Sequence, residues 1–114
     1  MEFDRHNRVA GLLGEIVAEF VRNEASSNPL ITVTKVTVSK DYKRATVFVT
    51  TIPDSGEDDA LVFLKRKGSD IRDFVKKKKL TLRHIPHFDF EIDRGERHRQ
   101  HMDELVHEIH EQKE

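Results

Sequence analysis

The tightest constraint on this chain is a pair of β-prone runs with only four residues between them. Leu30 to Ser39 is built largely of Val, Ile and Thr, and Arg44 to Ile52 alternates Ala45, Val47 and Val49 with Thr46, Phe48 and Thr50. The intervening Lys40-Asp41-Tyr42-Lys43 is too short for the crossover that parallel strands need, so the runs must pair antiparallel as a hairpin. A lone hairpin is marginal in water. The rest of the chain must therefore cover it, and at 114 residues roughly two thirds of the unfolded surface can be buried, enough for one compact domain. Cysteine is absent, which excludes disulfides, thiolate nucleophiles and thiolate metal sites, and leaves packing alone to hold the fold.

The covering layer is helical. Val9, Leu12, Leu13, Ile16, Val17, Phe20 and Val21 recur at spacings of three and four, predicting a helix from about residue 4 to 24 with Asp4 as its cap. It ends in Ala25-Ser26-Ser27-Asn28-Pro29, where proline forbids continuation. After the hairpin, Ser55 stands three residues before Asp58 and is expected to cap a second helix. Its buried stripe is Leu61, Leu64, Gly68, Ile71 and Val75, and Gly68-Ser69 inside that stripe predicts a kink or a close backbone approach. Thr81 to Asp93 reads as a third strand, with Pro86 placing its first half at an edge or bulge.

Gly95 to Gln112 reads as a very polar helix with Met102, Leu105, Val106 and Ile109 on one side. The expectation is an α+β domain over residues 1–94, a three-stranded sheet covered by helices, followed by a polar helical extension over 95–114 that is prone to fray. The longest apolar run, Ala60 to Leu64, is far short of the about 20 residues a bilayer crossing needs, and Met1-Glu2-Phe3-Asp4-Arg5 lacks the layout of a secretory signal. The expected location is the cytoplasm, with no membrane partner.

A net charge of −1 conceals strong segregation. Residues 1–60 carry 7 basic and 10 acidic groups; residues 61–83 carry nine Lys and Arg against Asp70 and Asp73 alone; residues 84–114 carry four basic and nine acidic groups with six of the seven histidines. An ordinary solvated helix mixes both signs, so the basic stretch points to a polyanionic partner. Lys65, Ser69, Arg72, Lys76 and Lys79 lie at offsets of 0, 4, 7, 11 and 14, which on one helix makes a single ridge beside the apolar stripe. Such a ridge matches a row of phosphates, each contact driven by release of condensed counterions. Lys40, Lys43 and Arg44 at the hairpin turn extend the basic surface, although three turn cations are common and prove little alone.

Among the aromatic residues only Tyr42 falls where ready exposure is expected, so recognition through RNA backbone and shape is favoured over reading of single-stranded bases. Gly11-Leu12-Leu13-Gly14 satisfies a GxxG pattern but sits inside the first amphipathic stripe, where the glycines serve packing better than phosphate binding. His84 and His87, His98 and His101, and His107 and His110 form three pairs, and His101 with Glu104 and Glu108 is conceivable as a zinc set, yet no buried outer shell accompanies it. No metal, cofactor or small-molecule substrate is expected, and no constellation supports catalysis.

These residues, taken in order, resemble the bacterial ribosome-binding factor A family over about Arg5 to Ile109. The resemblance rests on Arg8-Val9 in the first helix, Leu30 to Ser39 followed by Asp41, Ala45, Val47 and Val49 in the next strand, Ile71-Arg72, and Leu80-Thr81-Leu82-Arg83-His84-Ile85-Pro86-His87-Phe88-Asp89-Phe90 ending at Asp93. It implies a type II KH-like fold in which a helical kink at an Ala-any-Gly sequence replaces the usual GxxG loop. Here the corresponding positions are Lys67-Gly68-Ser69, with lysine for alanine and the glycine one residue early. The resemblance further implies an assembly factor that binds the immature small (30S) ribosomal subunit, assists maturation of 16S rRNA at its 5′ end and supports growth in the cold. On that basis Lys65, Arg66, Lys67, Ser69, Arg72, Lys76, Lys77 and Arg83 are the expected rRNA contacts, and the chain is expected to act as a monomer. Two alternatives stand beside it: a KH-like module for other structured RNAs, and a protein-interaction domain using the acidic carboxyl-terminal helix.

Overall fold

The computed structural model describes residues 2–25, 29–78, 82 and 84–112. Helix α1 spans Glu2–Glu24 and buries Leu13, Ile16, Val17, Phe20 and Val21 of the predicted stripe, with Val9 half-buried at its edge and Leu12 exposed. Asp4 lies inside its first turn, past the expected cap position. Strands β1 (Leu30–Val38) and β2 (Arg44–Ile52) form the antiparallel hairpin, with Leu30 opposite Ile52 and Val38 opposite Ala45. Ile31 and Val33 alternate correctly, but Val36 and Val38 are one residue out of phase with them. The register shift between Val33 and Lys35 absorbs Thr34 as a bulge, and this returns Val36 to the core face opposite Val47.

The hairpin tip is closed by two backbone bonds, Ser39 N–H to the Arg44 carbonyl at 2.9 Å and Tyr42 N–H to the Ser39 carbonyl at 3.0 Å. Tyr42 adopts φ 60°, the left-handed region that costs a bulky residue on the order of 1 kcal/mol. A short 3-10 turn, Asp54–Gly56, then leads into α2 (Glu57–Arg66). Ser55 lies within that turn, Gly56 holds the position before α2, and no side chain caps the helix there. Glu57, Asp58 and Asp59 in the first turn complement the helix dipole instead. Gly56 is required by space, since a Cβ there would stand 2.4 Å from Cβ of Pro29.

The helical break falls at Lys67, one residue before the glycine. The Lys67 N–H is shared between the carbonyls of Phe63 (3.1 Å) and Leu64 (3.2 Å), and its own carbonyl accepts Ile71 N–H at 2.8 Å, starting α3 (Gly68–Lys77). Lys67 sits at φ −90°, ψ 5°, the sparsely occupied bridge region, and so turns one helix into another over a single residue. Gly68 has no positive φ, and a Cβ placed on it meets no atom within 4 Å. The kink is as expected, but the free fold does not require glycine to make it.

Strand β3 is His87–Ile92 and runs parallel to β2, with Arg44 opposite His87 and Val49 opposite Ile92. It is shorter than the expected Thr81–Asp93. Pro86 has no N–H to give a ladder and is fully buried immediately before the strand, while Leu82, His84 and Ile85 are not in strand. Thr81 and Arg83 lie outside the described residues.

Helix α4 (Arg94–Gln112) begins at Asp93, whose carboxylate accepts Glu96 N–H at 3.0 Å and the Thr34 hydroxyl at 2.6 Å. One side chain thus ties the bulge of β1 to the start of α4. The Thr34 hydroxyl, then the Glu96 N–H, hold this carboxyl below its ordinary value of 3.8. Arg97 adds ion pairs to Asp54 (3.7 Å) and Glu57 (3.4 Å). Met102 is exposed; the side chains of Leu105, Val106 and Ile109 lie outside the described residues.

The sheet order β1-β2-β3 leaves β1 and β3 as edges. Ala45, Val47 and Val49 line the core face with Val36, Phe88 and Phe90, and Leu64, Ile71, Val75 and the α1 stripe close over them. The order α-β-β-α-α-β is the type II KH-like arrangement, with α4 appended.

Candidate nucleic-acid interface

The crossover from β2 to β3 has to pass through α2 and α3, because parallel strands cannot be joined by a tight turn. It thereby carries the bend at Lys67 past the free edge of β3. Between them runs an open groove of about 660 Å³, lined on the helical side by Lys65, Gly68, Ser69 and Arg72. The other wall includes the consecutive residues His87 to Glu91, which alternate between the two faces of the sheet, so the groove follows the edge of the strand itself.

The electrostatics of the two walls differ. Lys65 and Arg72 are exposed and, among the described residues, form no ion pair; Arg72 Nη2 donates only a long bond, 3.4 Å, to the Ile85 carbonyl. Across the groove, Asp89 is engaged by Arg44 through Nε (3.2 Å) and Nη2 (3.0 and 3.1 Å). That pair is largely exposed and adds little stability, but it holds the Arg44 guanidinium over the start of β3. Glu91 is exposed and carries no ion pair among the described residues. The helical wall therefore offers two unneutralised cations, a hydroxyl and a glycine; the strand wall offers backbone groups and carboxylate acceptors.

Of the expected contacts, the fold gathers Lys65, Ser69 and Arg72 into this groove. Lys76 is exposed one turn beyond Arg72 on α3 and continues the row. Arg66, Lys67 and Lys77 do not line the groove: Arg66 and Lys77 are exposed elsewhere, and Lys67 is half-buried at the bend, its ammonium 3.8 Å from Asp70. The ridge counted from the sequence keeps Lys65, Ser69, Arg72 and Lys76 and is bent at Lys67. Arg83 and Lys79 lie outside the described residues.

Lys78 is engaged with Glu19 at 3.2 Å and stacks over Phe74, so this member of the lysine run fastens α3 to α1. Gly68, His87, Asp89 and Glu91 were not among the expected contacts, and Arg44 was expected only as part of a basic hairpin surface. The parallel register of β2 and β3 brings Arg44, His87, Asp89 and Glu91 to the groove, and the bend at Lys67 brings Gly68. The one visible signal was the alternation of Phe88 and Phe90 with Asp89 and Glu91, which makes the latter pair surface residues of a strand.

Gly14 lies against Val36, 3.5 Å from an added Cβ to Cγ2, in keeping with a packing role, whereas Gly11 faces open space. Tyr42 is half-buried, less exposed than expected, because His6 packs on it with ring centroids 4.6 Å apart. Among the described residues no three His, Cys, Asp or Glu side chains are placed to hold a metal ion, and no helix is long and apolar enough to cross a membrane.

Comparison with known proteins agrees with this architecture. Residues 5–106 match the family model described as ribosome-binding factor A. A relative of that name from Alkalilimnicola ehrlichii is 36% identical, the match covering 97% of this chain and 91% of the relative; one from Desulfitobacterium hafniense is 31% identical, covering 96% and 90%. In three dimensions the chain is similar to the crystal structure of ribosome-binding factor A from Thermus thermophilus, with a TM-score of 0.70 and 23% identity over 78% of this chain and 96% of that one. It is also similar to a homology model of the Thermus thermophilus factor fitted into a cryo-EM map of a 30S–RbfA complex, with a TM-score of 0.63 and 23% identity over 75% of this chain and 91% of that one. With a family match along nearly its whole length and the sheet, crossover and bend in place, the chain belongs to the ribosome-binding factor A family.

Proposed function

We propose that this protein binds the immature small ribosomal subunit by laying rRNA into the groove between the α2–α3 bend and β3. The observation that carries the proposal is the convergence of Lys65, Ser69 and Arg72 on one wall of that groove, with an unhindered glycine between them. Phosphates would lie against the helical wall, where two cations supply the counterion-release term and the Ser69 hydroxyl one hydrogen bond. Glu91 and the backbone carbonyls of β3 can accept only from donors, which in RNA means base amino and imino groups and the 2′-hydroxyl. The arrangement orients the strand, with phosphates toward the helices and sugar and base edges toward the sheet.

Lys76 extends the phosphate track, and Arg66, Lys67, Lys77 and Arg83 belong to the wider field that attracts rRNA. On this reading residues 1–94 form the RNA-binding domain and 95–114 a polar helical extension. The protein is a monomeric cytoplasmic assembly factor, not an enzyme, that assists maturation of 16S rRNA at its 5′ end and supports growth in the cold. The family membership and the fitted 30S complex of its relative support this reading over a module for unrelated structured RNAs.

Sucrose-gradient sedimentation of a cell extract, with this chain detected by antibody, tests the proposal. Co-migration with free small subunits, lost at raised salt, is the expected outcome. Migration with free transcripts, or at the top of the gradient at every salt concentration, would refute it.

A further inference from the structure

Outside the groove, the hairpin tip carries a second cluster of groups suited to RNA. Tyr42 is the chain's only tyrosine, and there is no tryptophan. It occupies a left-handed turn position where glycine or asparagine would be unstrained. Its ring rests on His6, 4.6 Å between centroids, and His6 is itself fixed by donating Nε2–H to the Val38 carbonyl at 2.6 Å. The Arg5 guanidinium stands 6.0 Å from the Tyr42 ring centre, and Lys40, Lys43 and Arg44 are exposed around it.

The tip's carboxylate, Asp41, is turned into the turn itself. It accepts the Ser39 hydroxyl at 2.7 Å and the Lys43 N–H at 3.0 Å, and these two bonds, the hydroxyl first, lower its pKa. The tip is also joined to the groove, because His87 N–H donates to the Lys43 carbonyl at 2.9 Å and Arg44 belongs to both.

We propose that this tip is a second RNA contact, in which the ring of Tyr42, supported by His6, stacks one unpaired rRNA base while Arg5, Lys40 and Lys43 take the adjoining phosphates. The inference rests on the proposed binding of rRNA in the groove and extends the track past Arg44. A supported ring is a low-entropy platform, since its partner has already fixed it, and stacking of a base on an aromatic ring is indifferent to base identity. The cations around it contribute through phosphate contacts that are equally independent of sequence. The tip would thus add affinity and fix the register of RNA leaving the groove, without reading its sequence.

The test uses purified 30S subunits and the full chain. Tyr42→Gly removes the ring while accepting the left-handed backbone, and Tyr42→Phe keeps the ring. Expected is a roughly tenfold loss of affinity for Tyr42→Gly, near wild-type affinity for Tyr42→Phe, and short-wave ultraviolet crosslinking of Tyr42 to rRNA. The double variant Lys40→Ala/Lys43→Ala should lower the slope of log affinity against log salt by about 2. Wild-type affinity for Tyr42→Gly, an equal loss for both Tyr42 variants, or a crosslink only to a ribosomal protein would overturn the inference. Replacing Lys65 and Arg72 in parallel separates the two ideas: loss of binding there with an unaffected Tyr42→Gly removes the tip and leaves the groove, and the reverse removes the groove.

Discussion

The sheet has two free edges, and each lies beside a glycine-bearing helix. Along β1, the cleft against α1 is lined by Ala10, Gly11, Gly14 and Ala18, with Arg22, Lys35 and Glu15 as its charged groups. Along β3, the groove against the α2–α3 bend is lined by Gly68 and Ser69, with Lys65 and Arg72 on the helical wall. In outline the two are alike. They differ in the company their cations keep: Lys35 lies over the Phe48 ring at 4.7 Å and shares its cleft with Glu15, whereas the helical wall of the β3 groove sets Lys65 and Arg72 with no carboxylate among its lining residues. The glycines differ only in part, since Gly14 fits against Val36 while Gly11, like Gly68, faces open space. What sets the β3 groove apart is an open glycine standing between two exposed cations on one wall, the arrangement the proposed rRNA contact relies on.

The sharpest way to break this contrast is to remove the cations. Lys65→Ala/Arg72→Ala should weaken binding to 30S subunits by roughly ten- to a hundredfold, with the denaturation midpoint unchanged because both side chains are exposed. Next in size is Gly68→Ala. The added methyl meets nothing in the free protein, and alanine is the better helix former, so stability should rise by up to about 1 kcal/mol in urea unfolding. Binding should nevertheless fall several-fold as the methyl enters the groove. Gly14→Ala should leave 30S binding untouched.

Asp93 sharpens the contrast from the other side, since it stabilises the fold and lies outside the β3 groove. Its folded pKa is depressed, so its contribution is fully present above the unfolded value near 3.8 and is lost as pH falls through the lower folded value. Asp93→Ala should therefore lower stability by about 1 kcal/mol at neutral pH and flatten the pH dependence of unfolding below about pH 4, as followed by circular dichroism, while 30S affinity at neutral pH holds. The smallest effect belongs to the β1 edge, where Arg22→Ala and Lys35→Ala should each change 30S affinity by less than about twofold if phosphates avoid that cleft. A loss there equal to that of Lys65→Ala/Arg72→Ala would dissolve the distinction between the edges.

Much of this architecture is written locally. The hairpin follows from a four-residue gap, α1 from its three-and-four stripe, and the kink from an interruption in the second stripe. What was not legible depends on residues distant in the chain. That Lys67 bends the helix, and not Gly68, follows from how Ile71, Val75 and Leu64 must all reach one core. Ser55 is spent in a 3-10 turn whose Gly56 lies so close to Pro29 that no Cβ fits there, a contact between residues far apart in the chain. The groove's strand wall stayed hidden because the third strand's direction and register come from pairing with β2, which no spacing within residues 87–92 encodes. Charge counting found the cations, yet not which of them face the groove: Lys67, an expected contact, pairs with Asp70 at the bend, and Lys78 of the lysine run fastens α3 to α1.

The central claim is that the helical wall of the β3 groove, where Lys65 and Arg72 have no ion pair among the described residues, is where phosphates of the small subunit bind. The direct measurement is the affinity of wild type and Lys65→Ala/Arg72→Ala for purified 30S subunits across a series of salt concentrations. Removing two phosphate-binding cations should make the slope of log affinity against log salt shallower by about 2. An identical slope for both proteins would contradict the claim.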